Sequence, residues 1–460
     1  MPATIVDEKG ASLSRRLLLR NRKAVNPRGR QRAVLHWIDW IGCVAAGART
    51  PEADALQAWR PQPRLAPAFA SLLGPAQDPF QALLMEAGPA QAEDMDDLHR
   101  RARLRPGAVV LPALASLARS RGIPARQMLD ATVRGYETSI RIGRAVGARH
   151  HFHWHASSTA GVFGAAAACA DALRLPLDAA VGALGHAGTQ AAGLRPERPE
   201  TAMSSQLSIA HAAWAGVTAA TLALAGFTGP ERILEGPHGF LAAMTTDADT
   251  TALVREDADW LIHSTSFQPW PGSRHTHAAI DCVLALREAG GRCPLVFDSC
   301  EVAASADALA TCDNPRPATR TEARFSLQYA VAAAAALGPL RPEHFDELFF
   351  ARPDLVDSAS RVRLALSPAA DAAHPDHYGA QVSMDDYRSH SVQDSLGDPE
   401  RPLSSQAVFD KARMLMRYGG VPPARIDDLL AAAGRLMGDA VQDEPLAQPM
   451  PAALLAPLFG

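Results

Sequence analysis

Residues 148–167, ARHHFHWHASSTAGVFGAAA, carry His150, His151, His153 and His155 within six residues and then turn at once into small apolar residues. Two chemistries suit that spacing. In an extended segment alternate side chains share a face, which would group His151, His153 and His155, and imidazole is a common zinc ligand. In a polar turn ahead of a buried helix, one histidine can carry a proton and the other three are bystanders. The spacing alone leaves both open.

Either chemistry needs a scaffold. The chain has 460 residues, more than one hydrophobic core usually serves, so two domains are expected, one of them interrupted by the other. Hydrophobic residues make up 47% and charged residues 20%, the mix of an ordinary globular protein. A net charge of -4 without any long Lys/Arg block argues against nucleic acid or an anionic membrane as the main partner and for a small-molecule substrate. The six cysteines contain no C-x-x-C pair, which fits a reducing cytoplasm better than a disulfide framework. Near the start, LLL in SRRLLLRNRK is too short for a signal sequence and is flanked by arginines. No run is expected to reach the roughly 20 apolar residues that cross a bilayer.

Up to about residue 265 the pattern is helical, rich in Ala, Leu and Arg, with apolar residues three and four apart. Helices are expected over 31–48, 106–122, 128–147, 160–175 and 179–194. The last two are so rich in Ala and Gly that their axes must approach closely. Near 265 the character changes. Pro269 and Pro271 are followed by a helix over 278–289, strand-like VFDSCEVAASA, a helix over 326–338, and strands RVRLAL (361–366) and AQVSM (380–384), an α+β pattern. After Leu403 the chain returns to helix. The expected division is 1–265 helical, 266–396 α+β, and 397–460 helices returning to the first domain.

Seven blocks carry a resemblance to a known family. They are DMDDLHRRARLRPGAVVLPALASLA (94–118), GYETSIRIG (135–143), FHWHASSTAGVFGAAAA (152–168), ALGHAGTQAAGL (183–194), GFTGPERILEGPHGF (226–240), FQPWPGSRHTHAAIDCVLAL (267–286) and QYAVAAAAALG (328–338). In this order they resemble the MmgE/PrpD family of dehydratases, decarboxylases and epimerases. The resemblance implies a mainly α fold: a large all-helical domain built from both ends of the chain, with a smaller α+β lid domain inserted. It further implies a homodimer, and acid–base catalysis in the cleft between domain and lid without metal or organic cofactor. His155 matches the family's histidine ahead of the small-residue helix, whereas His150, His151 and His153 match nothing functional. Asp94 matches the active-site carboxylate. Asp96 and Asp97 belong either to the site or to a solvated helix start.

The departures are equally informative. The family's H-P-G histidine is Arg105 here, and a guanidinium can bind an anion but cannot shuttle protons. The lysine and histidine of an S-K-x-L-H block fall at Ser205 and Ser208, and the lysine of the K-P-Y-P loop falls at Gln268. In the same loop, Arg274 and His277 match an R-x-T-H segment and Ser273 takes a variable pocket position. Arg274 either binds a carboxylate or ties the loop down. His277 and Thr276 either face the cleft or cap a helix, and His99 is a further candidate beside the acidic run. The expected activity is therefore that of a lyase. Asp94 and His155 handle protons next to a carbonyl or carboxylate, while Arg105, Ser205, Gln268, Ser273, Arg274, His277 and His99 bind a substrate less anionic than a tricarboxylate. An isomerase, epimerase or cyclase using the same pair, and an inactive pseudoenzyme, are the alternatives.

Overall fold

A computed structural model describes residues 10–58, 69–76, 78–195, 203–290, 294–385, 388–442 and 445–459. The chain is mainly helical, and its buried apolar side chains form two large cores. One draws on residues 17–267 and again on 408–458, and the other on residues 270–392.

In the larger unit, helix Gly161–Ala172 is buried along almost its whole length. Ala125–Ala145, Gly107–Ser120, Leu177–Thr189 and Ser204–Leu224 pack around it. Ala and Gly make this possible. A Cβ on Gly216 would come within 2.4 Å of the Ala165 Cβ, so only glycine permits that approach. Helix Pro27–Gly47 begins on an N-cap, with the Gly29 N–H donating to Asn26 Oδ1 at 2.7 Å. It buries Trp37, Ile38 and Ile41. The late helix Ser405–Gly419, capped by Ser404 and ended by left-handed Gly420, lies against it. Both ends of the chain therefore complete one core.

Helix Ser204–Leu224 is, by length and composition alone, apolar enough to cross a membrane, contrary to the expectation from sequence. Half of its apolar window is nevertheless buried, with Ile209, Ala213, Gly216 and Ala220 among the packed residues. Such burial is what a core helix of a bundle requires.

A short hairpin, β1 (Phe69–Ser71) and β2 (Gly74–Ala76), precedes the smaller unit. That unit holds a four-stranded mixed sheet of β3 (Cys300–Ala304), β4 (Val362–Leu366), β5 (Ala380–Met384) and β6 (Arg388–Val392), in the order β4-β3-β5-β6. β3 runs parallel to β4 and antiparallel to β5, with Val302 opposite both Leu364 and Val382. Helices Arg274–Gly290 and Leu327–Leu337 pack on the sheet. The segment joining the two units is pinned on both sides. Leu98 and Ser266 exchange backbone hydrogen bonds at 3.1 and 2.8 Å, and the Phe267 N–H donates to the Gly397 carbonyl at 3.1 Å.

Candidate active site

Two cavities, of about 450 and 250 Å³, meet along one wall made by Asp94, Arg105, His155 and Phe325. The larger also takes Ser205, Gln91, Arg320 and Arg324; the smaller takes Ser273, Arg274, His275, Arg103, Arg195 and Tyr378. Residues of both units line each cavity, so the site is a cleft between them.

The acidic run builds the wall by dividing its labour. Asp94 sits in the left-handed region at φ 53°, which Asp tolerates better than most residues and which an active-site turn can exploit. Its carbonyl and that of Asp96 accept hydrogen bonds from the Gln268 amide at 3.1 and 2.6 Å. Asp96 is buried and paired with the Arg105 guanidinium. Burial pushes its carboxyl up to about 7, against the pull of Arg105. Asp97 is buried as well, accepting from the Tyr136 hydroxyl at 2.6 Å and the Gly107 N–H at 3.1 Å, with His36 Nδ1 at 2.7 Å. Those contacts overcome its burial and hold it below the usual carboxylate range. They also fix the turn that carries Arg105, because a Cβ on Gly107 would meet the Tyr136 hydroxyl at 2.5 Å. Neither Asp96 nor Asp97 is solvated, so that half of the expectation is corrected.

Arg105 reaches Asp94 Oδ1 at 3.3 Å, and its backbone N–H donates to Ser157 Oγ at 3.0 Å. Opposite charge explains its raised pKa: burial works to lower it, and Asp96 and Asp94 prevail. Arg324 Nη1 stands 3.8 Å from the other Asp94 oxygen, and its Nε and Nη1 are buried without a hydrogen-bond partner.

The histidine-rich segment is not extended. Residues Gly147–His153 form a helix, which removes the shared face that a ligand set over His151, His153 and His155 needs. His150 is buried between Thr159 Oγ1 at 2.7 Å and the Met244 carbonyl at 3.2 Å, and His153 is exposed. His151 is buried and lines the smaller cavity, so it is less of a bystander than its spacing suggested. His155 lies on the shared wall, its backbone N–H donating to the Gly193 carbonyl at 2.9 Å. Burial, then Arg195 and Arg105, push its imidazole down to about 4, so it is neutral at pH 7. Ser158 Oγ lies 3.1 Å from both its Nδ1 and its carbonyl oxygen. With the hydroxyl donating to the carbonyl, Nδ1–H donates to Oγ and Nε2 is left to accept a proton.

The remaining candidates separate. Ser205 lines the larger cavity, with its hydroxyl donating to Gln206 Oε1 at 2.9 Å, and Ser273 lines the smaller one. Arg274 borders the smaller cavity, but its guanidinium is paired with buried Asp398, which ties the loop down. Gln268, His277 and His99 line neither cavity. Gln268 acts on the acidic run from behind. His277 is fully buried beside Arg274, Nδ1 to Nη1 3.4 Å, and Thr276 Oγ1 donates to the Ser273 carbonyl at 2.9 Å. His99 is buried against Ser264 Oγ at 3.2 Å and accepts the Ala102 N–H at 3.1 Å. These three, expected to bind substrate, sit buried behind the lining of the two cavities.

Sequence reasoning missed Arg320 and Arg324. Their four-residue spacing in RTEAR, which places both on one helix face, was the available signal.

Comparison with known proteins identifies the family of the chain. Residues 20–253 match the MmgE/PrpD N-terminal domain, and residues 270–432 the MmgE/PrpD C-terminal domain. Over 252 residues the chain is 30% identical to a cis-aconitate decarboxylase-like protein of Aspergillus oryzae, covering 49% of this chain and 51% of that protein. Over 422 residues it is 23% identical to a cis-aconitate decarboxylase of Aspergillus terreus, covering 84% of each. Over 305 residues it is 26% identical to the cis-aconitate decarboxylase of Homo sapiens, covering 63% of this chain and 62% of that protein. The chain thus spans about half the length of the Aspergillus oryzae relative and more of the other two. Both domain patterns occur in order and together take in most of the sequence: the chain belongs to the MmgE/PrpD family.

Proposed function

We propose that the protein is a lyase of the dehydratase or decarboxylase type, acting on a small acid with fewer carboxylates than a tricarboxylate. The observation that carries this reading is that Asp94, Arg105 and His155 line both cavities of the cleft. In an elimination, neutral His155, with Nε2 free, takes the proton from carbon next to a carboxylate, the neighbouring carbon–oxygen bond breaks, and the departing hydroxyl takes a proton that Asp94 carries in the substrate complex; in a decarboxylation, carbon dioxide leaves and the carbon it leaves takes a proton from the same pair. Arg105 and Arg324 stabilise the charge that develops on the carboxylate. The smaller unit acts as the lid, and no metal or organic cofactor enters these steps. The names of the relatives, all cis-aconitate decarboxylases or a protein like one, support the reaction class.

The cleft is not stripped of cationic side chains. Lysine and histidine are missing at 205, 208 and 268, yet arginines from other elements line the cleft. Most of them are already neutralised by protein carboxylates. Arg105 faces Asp94 and Asp96, Arg320 faces Glu93 and Asp346 at 2.6 Å each, Arg274 faces Asp398, and Arg103 faces Asp307 at 2.8 Å. Arg324 is itself drawn to Asp94 at 3.8 Å, so little cationic charge is left over in the cleft, which suits one or two substrate carboxylates better than three. Assay of a panel of mono-, di- and tricarboxylates tests this. Turnover is expected with a smaller acid, and no useful rate with 2-methylcitrate or cis-aconitate. Efficient use of either tricarboxylate would overturn the substrate assignment.

The assembly we propose is a homodimer through the helical unit. Phe152, Leu194, Leu207, Leu222, Leu224 and Phe227 are exposed on or near helices Gly147–His153 and Ser204–Leu224, and a second copy docked there would cover them. Light scattering at micromolar concentration should return twice the chain mass; a stable monomer would contradict it.

A further inference from the structure

Outside the proton-handling wall, the smaller unit gathers a second set of ligating groups from three separate elements. His275 is in the first turn of helix Arg274–Gly290, Asp307 in the first turn of helix Ala306–Cys312, and His374 just after helix Pro368–Ala373. One ligand atom from each lies within 4.8 Å of the other two. His275 Nε2 is 3.5 Å and His374 Nε2 3.6 Å from the same oxygen, Asp307 Oδ2. The first is a hydrogen bond at its longest reach and the second exceeds one. They match the separation of two ligands on one tetrahedral zinc, about 3.4 Å for bonds of about 2.0–2.2 Å.

The state of His374 adds an independent observation. Its side chain is only 10% exposed, and its Nε2 is buried without a hydrogen-bond partner, which is costly for a polar atom unless something occupies it. The aromatic ring of Tyr378 packs against both imidazoles, at 5.1 Å from His275 and 4.8 Å from His374, and so holds their orientation. We propose that His275, Asp307 and His374 form a binding site for a divalent transition metal of the zinc class. Two imidazoles and one carboxylate are a donor set for zinc, cobalt or iron rather than for magnesium or calcium. The site is separate from the Asp94–His155 pair, although His275 borders the smaller cavity. Arg103 of the larger unit now neutralises Asp307 at 2.8 Å. Metal binding must therefore compete with an ion pair that joins the two units.

Cobalt(II) titration of the full-length protein tests this, read by visible d–d absorption and by calorimetry. About one cobalt per chain is expected, with the intense bands of a low-coordinate N/O site, and zinc should displace it. His374→Ala should weaken binding by about a hundredfold or more while circular dichroism stays unchanged. Arg103→Ala should instead tighten it, since a competing cation is gone. This second variant decides the matter if His374→Ala does not fold. Absence of stoichiometric binding, undiminished binding by folded His374→Ala, or weaker binding by Arg103→Ala would each overturn the site.

Discussion

His155→Asn lowers turnover by about a hundredfold or more, the usual range for loss of a general acid or base. His153→Asn, on an exposed side chain of the preceding helix, leaves it unchanged. The contrast follows from position. His155 lies on the wall common to both cavities, whereas His153 lines neither. The pH profile carries a second expectation. An imidazole pushed down to about 4 by burial, Arg195 and Arg105 is in its accepting form at every pH above that value. The acid limb of kcat/KM should therefore fall near pH 4 rather than near the usual histidine value of about 6.5. Steady-state rates of the two variants on the acid that the carboxylate panel identifies decide the matter. Wild-type rates in His155→Asn would remove the histidine from the mechanism. His151→Asn is not a suitable silent control, because that side chain lines the smaller cavity.

Asp97→Ala should cost about 3–5 kcal/mol of stability, measured by urea unfolding, as does removal of one partner from a buried charged network. The carboxylate accepts from Tyr136 and the Gly107 N–H and faces His36, all in the buried core of the larger unit. Truncation strands the Tyr136 hydroxyl and the His36 ring without water, and it loosens the turn that presents Arg105. Acid should act in the same direction. The Asp97 carboxyl is depressed in the fold, so its contribution is complete above the ordinary carboxylate value of about 3.9 and is lost as pH falls through the lower folded value. His36 is pushed down to about 4 by burial, so between about pH 6.5 and 4 the unfolded chain binds the extra proton and stability falls on acidification. An Asp97→Ala midpoint equal to wild type would show that the network is not what holds this turn.

The helices were legible because their apolar residues recur with the helical period. Expected spans over 31–48, 128–147 and 160–175 became Pro27–Gly47, Ala125–Ala145 and Gly161–Ala172. Strand AQVSM was read at its true limits, since it alternates buried and exposed residues. Strand Arg388–Val392 was not read. RSHSV lies at the sheet edge, exposes its three central residues and carries no apolar alternation. The candidate site divides in the same way. Asp94, Arg105 and His155 belong to blocks that carry the family resemblance and, with Ser205, line the cleft, whereas Gln268, His277 and His99 belong to the same kind of block but lie behind its lining. A motif marks a position without saying whether a side chain faces ligand or protein. Arg324 reaches Asp94 from 230 residues away in sequence; the RTEAR spacing puts it on one helix face with Arg320, but only tertiary packing shows that this face meets Asp94.

The proposed lyase reaction requires this cleft to move a proton at carbon next to a carboxylate, with His155 as the group that takes it. Proton NMR of the carboxylate panel in D2O, with wild-type protein and with His155→Asn, tests it most directly. Enzyme-dependent deuterium is expected next to a carboxylate, in residual substrate or product, for an acid with one or two carboxylates, with a loss of about a hundredfold in His155→Asn. Deuterium incorporation that proceeds equally well in His155→Asn, or none with any acid of the panel, would contradict it.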